Sequence, residues 1–146
     1  MNALPRTARA YEMRHTVAFA ETNLVGNVYF TRHLEWQGRC REMFLRDHCP
    51  EVLAALRTDL ALITLHCRCD YLAELDAFDE IAVRMRLGGI AQNRLTLDFE
   101  YWRLAPDAEL LVARGQQQLA VMRRDGSGLV PAPIPAGLRA ALAAYE

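Results

Sequence analysis

Apolar and polar residues alternate over several stretches of the chain. Ala61, Ile63, Leu65, Cys67, Cys69 and Tyr71 stand at every second position, as do Ile81, Val83, Met85 and Leu87, and again Leu95, Leu97, Phe99 and Tyr101. A repeat of two sends side chains to opposite faces of a pleated strand, so each stretch predicts a half-buried β-strand. Further strands are predicted over Tyr11 to Phe19 and Leu110 to Arg123, with turns at Gly88-Gly89 and Pro106-Asp107. Such short connections imply antiparallel pairing, because parallel neighbours need a crossover of about a dozen residues.

One segment follows the other period. From Thr31 to Asp47, Leu34, Gly38, Arg41 and Leu45 fall on one helical face, while Glu35 with Arg39 and Glu42 with Arg46 have the i, i+4 spacing of solvated flank pairs. Gly38 inside a helix costs about 1 kcal/mol relative to alanine, which predicts a close neighbour at that point. The Pro-rich stretch Val130 to Gly137 leads into a short terminal helix, Leu138 to Tyr145. Strand, helix, four strands and terminal helix make an α+β order in which a curved antiparallel sheet can wrap one long helix; other α+β folds share that order.

Composition narrows the class. The 146 residues suit one domain over 1–146, and 52% hydrophobic with 24% charged residues is the balance of a packed globular protein. Seventeen basic side chains nearly cancel eighteen acidic ones without long runs, which argues against nucleic acid and anionic lipid as partners. The segment MNALPRTARAYEMRH lacks an apolar stretch of secretory length, and no window reaches the roughly 20 apolar residues of a membrane span, so a cytoplasmic location is expected.

Cys40, Cys49, Cys67 and Cys69 read as reduced thiols, with Cys67 and Cys69 buried and inert on the strand face of Ile63, Leu65 and Tyr71. His15, His48 and His66 belong to no cluster with metal spacing, so neither metal nor cofactor is expected. Ser127, the only serine, sits in a Gly-Ser-Gly turn, and neither it nor Cys40 has a motif-matched histidine, which disfavours acyl-enzyme chemistry.

The stretch from Phe19 to Phe30, FAETNLVGNVYF, joins the first strand to the helix. Its end presents free backbone N–H groups where the helix dipole favours negative charge, a place to stabilise a developing oxyanion. The run from Thr16 through Leu45, TVAFAETNLVGNVYFTRHLEWQGRCREMFL, resembles the hot-dog acyl carrier protein thioesterases of enediyne polyketide biosynthesis, a branch of the 4-hydroxybenzoyl-CoA thioesterase superfamily. The likeness is closest over Asn23 to Tyr29 and over Trp36 to Leu45.

That resemblance implies a hot-dog fold and a thioester hydrolase. The wider superfamily has an aspartate where this chain has Asn23, whereas the enediyne branch also carries asparagine there, paired with the arginine matching Arg41. The expected catalytic residues are therefore Asn23 and Arg41, with the backbone N–H groups of Tyr29 and Phe30 as oxyanion donors. Glu21, Asn27, His33 and Gln37 complete the expected substrate-binding set. Glu21 would serve as a general base if burial raised its pKa, and His33 stands where the branch commonly has an aromatic residue. From position alone, Asn23 also reads as a turn residue and Arg41 as a structural arginine.

The implied reaction is release of a polyketide acyl chain (polyene, β-keto or β-hydroxy) from the phosphopantetheine arm of an acyl carrier protein, with loss of carbon dioxide as a further step for a β-keto acid. The rivals are an acyl-CoA thioesterase of other specificity and a non-catalytic acyl-binding module. Assembly through sheet edges into a homotetramer, a dimer of dimers, is also implied.

Overall fold

A computed structural model describes residues 9–146. Along the chain lie β1 (Tyr11–Thr16), α1 (Arg32–His48), α2 (Pro50–Leu56), β2 (Leu60–Tyr71), β3 (Glu80–Ala91), β4 (Arg94–Leu104), β5 (Glu109–Asp125), β6 (Gly128–Pro131) and α3 (Ala136–Ala143), with a 3-10 turn at Phe19–Glu21. The six strands form one antiparallel sheet in the order β1-β3-β4-β5-β2, with β6 added to β5. The sheet wraps α1, as the resemblance implies.

The alternation in β3 and β4 is borne out. Ile81, Val83, Met85 and Leu87 are buried, as are Leu95, Leu97, Phe99 and Tyr101, while Arg84, Arg86, Asp98 and Glu100 face the other side. Burying a large apolar side chain contributes about 1.5–3 kcal/mol, so these two strands anchor the core. The helix meets them through Trp36, Cys40 and Phe44, with the Trp36 and Tyr101 rings 6.4 Å apart and Phe44 edge-on to Tyr11 at 5.4 Å.

Four expectations need correction. The buried face of α1 is centred on His33, Trp36, Gln37, Cys40 and Phe44, about one residue round from the stripe of Leu34, Gly38, Arg41 and Leu45; only Leu45 of that stripe is buried. Trp36 and Phe44 carry more apolar area and set the rotation. A side chain at Gly38 would meet nothing within 4 Å, so no close approach explains that glycine.

In β2 a bulge between Thr64 and His66 interrupts the alternation. Thr64 therefore faces α1 together with Cys67, Cys69 and Tyr71, while Ala61 and Ile63 turn to the opposite face. β2 is also a sheet edge, which leaves Cys67 exposed and Cys69 half-buried. Gly88 and Gly89 form a bulge inside β3, not a turn, since the pairing with β4 continues on both sides of them; the chain reverses instead at Gln92-Asn93, and a Cβ at Gly88 would lie 2.6 Å from Asp98 Oδ2.

The turn at Pro106-Asp107 is present, closed by the Ala105 N–H donating to the Ala108 carbonyl at 2.9 Å. β1 stops at Thr16, two elements absent from the sequence reading appear as α2 and β6, and α3 begins two residues earlier than expected. α2 follows from Pro50, which disfavours helical geometry at Cys49, ends α1, and is itself suited to a helix's first position.

Candidate active site

The loop between β1 and α1 is held by Glu21. Its Oε1 accepts from the Ala18 N–H at 2.8 Å and is bonded to His15 Nε2 at 2.7 Å; its Oε2 accepts from the Trp36 indole N–H at 2.7 Å. Burial alone would raise the pKa, but the bonds to Ala18, His15 and Trp36 outweigh it and hold the carboxyl below its ordinary range. Glu21 is thus an ionised clamp between strand, turn and helix, and the raised pKa on which a general-base role depended is not found.

Asn23 opens a tight loop. Its N–H donates to the Asn27 carbonyl at 2.9 Å, Gly26 N–H returns to the Asn23 carbonyl at 3.0 Å, and Val25 N–H donates to Asn23 Oδ1 at 2.9 Å. Gly26 has φ +101°, a conformation side chains resist. The Val25 donor fixes the amide orientation, so the Asn23 NH₂ group is left free of any partner among the described residues. Asn27 bridges to Asp76 and keeps a buried side-chain oxygen without a donor.

The oxyanion donors need one correction. Tyr29 N–H is occupied, donating to the Glu21 carbonyl at 3.0 Å. Among the described residues, the N–H groups of Phe30 and Thr31 make no backbone hydrogen bond and stand at the start of α1, while the Tyr71 hydroxyl donates to the Phe30 carbonyl at 2.5 Å and fixes that turn.

Arg41 lies far along the helix. Its Nη1 donates to Gln117 Oε1 at 3.1 Å and lies 3.5 Å from Thr64 Oγ1, and no carboxylate among the described residues comes within ion-pair distance. Burial pushes its pKa down, against the charge of Glu42. With Phe44, Leu45, Leu62, Leu97, Leu119 and Leu142 it lines a narrow crevice whose other walls are entirely apolar. A guanidinium in that setting seeks an anion or further acceptors.

Gln117 and Thr64 were not singled out from the sequence. The run Gln116-Gln117-Gln118 within a strand was the available signal, since consecutive residues cannot all face solvent. A hollow of about 510 Å³ is on the other face of the sheet, where Arg68, Arg86 and Arg114 stand among Asp70, Asp98 and Glu100. Its charged, solvated lining holds none of the candidate residues.

The strand register sets Asn23 and Arg41 towards opposite ends of β3 within one subunit. His15, bonded to Glu21 near Asn23, pairs with Ile81; Gln117, bonded to Arg41, pairs with Leu97 and through it with Leu87. From Ile81 to Leu87 is six steps along β3, roughly 20 Å at about 3.3 Å each. The pairing of Asn23 with Arg41 that the resemblance implies is therefore not seen within one subunit.

His33 and Gln37 lie between these ends, 4% and 0% exposed. The His33 ring packs against Tyr71, Trp36 and Tyr101 at 4.8, 5.1 and 5.4 Å. Burial brings its pKa down to about 4 against the smaller, opposing influence of the Phe30 backbone, so the imidazole is neutral. Neither ring nitrogen has a hydrogen bond of normal geometry. Gln37 donates to the Arg68 carbonyl at 2.9 Å, while its Oε1 is buried without a donor. Gly115 makes room for it, since a Cβ there would fall 2.0 Å from Gln37 Nε2.

Among the described residues, no group of three or more His, Cys, Asp or Glu is placed to hold a metal ion, and no helix is long and apolar enough to cross a membrane. Cys40, Cys49, Cys67 and Cys69 are free thiols.

Comparison with known proteins gives the site its context. The family model for the thioesterase-like superfamily matches residues 17–142. A solved structure of the dynemicin thioesterase, described for induced-fit and allosteric effects upon polyene binding, is similar at 52% identity and TM-score 0.91, covering 94% of this chain and 97% of that one. The 4-hydroxybenzoyl-CoA thioesterase from Pseudomonas sp. strain CBS-3 shares the fold at 17% identity and TM-score 0.77, covering 92% and 99%. So does a 1,4-dihydroxy-2-naphthoyl-CoA thioesterase from Synechocystis, at 21% and 0.79, covering 92% and 96%. Curated protein sequences gave no significant match.

Proposed function

Because the chain belongs to the thioesterase-like superfamily, we propose that this hot-dog thioester hydrolase releases a polyketide acyl chain, a polyene among its substrates, from the phosphopantetheine arm of an acyl carrier protein. The observation that supports this most is Arg41, a half-buried cation with no carboxylate partner among the described residues, beside a leucine-lined crevice. An acyl chain ending in a group that gains negative charge suits that pairing of surfaces.

The chemistry follows from the donors available. The thioester oxygen sits at the free N–H groups of Phe30 and Thr31, where oxyanion stabilisation by such a donor is worth roughly 3–4 kcal/mol. Asn23 has no proton-accepting carboxylate, but its free NH₂ donates to the same oxygen or orients the attacking water. Water adds to the carbonyl carbon, the carbon–sulfur bond breaks, and the thiolate takes up the proton that water loses, leaving acid and pantetheine thiol. Arg41 stabilises the negative charge formed on the way. A released β-keto acid can lose carbon dioxide afterwards.

The separation of Asn23 from Arg41 supports a site shared between two copies. β2 is an edge strand whose stretch from Thr64 to Arg68 is exposed, and an unpaired edge of this length calls for a partner. Antiparallel self-pairing of β2 centred between Thr64 and Tyr71 sets Thr64, and Arg41 with it, opposite the partner subunit's Tyr71, which fixes the start of the helix. Pairing of two such dimers into a tetramer, entry of the carrier arm at a subunit boundary, and a cytoplasmic setting for the four thiols belong to the same reading. The crevice is narrow, with Leu138 and Leu142 of α3 in its lining.

Mass spectrometry of the product released from a polyene-loaded carrier tests this directly. Release of the free acid or its decarboxylated ketone from the carrier, faster than from the matching acyl-CoA, is the expected result. Faster turnover of the CoA ester would favour an acyl-CoA thioesterase, and tight binding with no release an acyl-binding module.

A further inference from the structure

We propose that His33 and Gln37 together recognise a hydroxyl group carried near the thioester end of the acyl chain. They lie four residues apart on the buried face of α1, hence one turn or roughly 5 Å along the axis. They follow closely after Phe30 and Thr31, whose free N–H groups are the proposed oxyanion donors. Both are at least nine-tenths buried, yet both keep unpaired polar atoms: the two ring nitrogens of His33 and Oε1 of Gln37.

Buried polar atoms are rarely left this way, and two on adjacent turns of one helix face mark a place where a polar group is missing. Among the described residues the Phe30 backbone approaches the His33 ring without reaching hydrogen-bond geometry, and Gln37 Oε1 has no donor. The His33 ring is enclosed by Trp36, Tyr71 and Tyr101, and the Tyr101 hydroxyl is already spent on the His33 carbonyl at 2.6 Å. Gln37 cannot turn its amide round without losing the donor bond to Arg68, and Gly115 keeps space for it in that orientation.

The kind of group follows from the atoms. Gln37 Oε1 only accepts, and a neutral imidazole offers one donor and one acceptor. A hydroxyl satisfies both residues at once, donating to Gln37 and accepting from His33. A ketone accepts from His33 but leaves Gln37 unpaired, and a saturated or unsaturated carbon satisfies neither. A site built to hydrogen-bond a hydroxyl discriminates strongly against the analogue lacking it, because its own buried groups are then stranded.

The inference rests on the thioesterase reading, and one experiment separates the two. Carriers loaded with 3-hydroxy, 3-oxo and unsubstituted acyl chains of one length are offered to the parent, Gln37→Met and His33→Phe proteins, each checked for cooperative melting. The parent is expected to favour the hydroxyacyl carrier by at least about tenfold in kcat/KM over the unsubstituted one, with the 3-oxo chain between. Either substitution is expected to bring that ratio towards one, whatever it does to the absolute rate. Equal turnover of all three carriers by the parent, or a ratio unchanged in both variants, overturns the hydroxyl site and leaves the hydrolase standing; turnover of none overturns both.

Discussion

Replacing Gly115 by alanine puts a methyl group where the structure has none to spare. The added Cβ would lie 2.0 Å from Gln37 Nε2, 3.1 Å from Gln37 Cδ and 3.2 Å from the Arg68 carbonyl oxygen. On an exposed side chain such a clash is relieved by a rotation. Gln37 is fully buried, so moving it breaks its bond to Arg68 and leaves that amide and carbonyl without partners. Overpacking costs about 1–3 kcal/mol and a stranded buried polar group a similar amount, so Gly115→Ala should destabilise by about 2–4 kcal/mol. For a chain of this size that is a fall of roughly 6–12 °C in melting temperature, read by thermal denaturation at fixed protein concentration. Adding Gln37→Ala should return part of the loss, because the clash then has no second party, and a double-mutant cycle will show the two positions coupled. A single Gly115→Ala protein that melts within about 2 °C of the parent refutes the packing argument and the orientation assigned to Gln37 with it.

Three further outcomes are expected. Arg41→Leu should leave the melting temperature unchanged or raise it, since a desolvated charge without a carboxylate is exchanged for packing, while kcat/KM falls about a hundredfold or more; Arg41→Lys should not restore it, lacking the forked donors. Folding stability should fall as pH drops from about 6.5 towards 4, because His33 is held neutral in the folded state at about 4 and takes a proton more readily when unfolded; the loss approaches about 3 kcal/mol and should vanish in His33→Phe in acid denaturation series. Glu21 adds an acid-side effect of the same sign, its contribution present above the ordinary carboxylate pKa and lost as pH falls through its lowered folded value, and Glu21→Gln should cost about 1–3 kcal/mol at neutral pH in urea titration.

The strands were legible because period two survives wherever one sheet face is covered, as at Ile81 to Leu87 and Leu95 to Tyr101. The pattern misled where the backbone departs from regularity: the β2 bulge after Thr64 and the β3 bulge at Gly88-Gly89 are single-residue events that alternation cannot register. The helix was legible in extent but not in rotation, since the apolar spacing does not weigh an indole against a leucine. Of the site, the Asn23 loop and Arg41 came from the likeness of their motifs. Gln117 and Thr64 escaped because their role depends on β2 and β5 pairing far apart in sequence. The occupied Tyr29 N–H could not be foreseen, because it depends on where the Glu21 carbonyl points once the loop closes.

In the proposed shared site a thioester is cleaved between Asn23 of one subunit and Arg41 of another. The direct measurement is hydrolysis of a polyene-loaded carrier by Asn23→Ala and Arg41→Ala proteins, alone and after unfolding and refolding as a mixture. Each alone should be nearly inactive. In a symmetric dimer with shared sites, half the refolded dimers are mixed and each of those regains one intact site, so the mixture should recover roughly a quarter of the parent activity. A mixture no more active than its components, with mixed dimers demonstrably formed, contradicts the shared site.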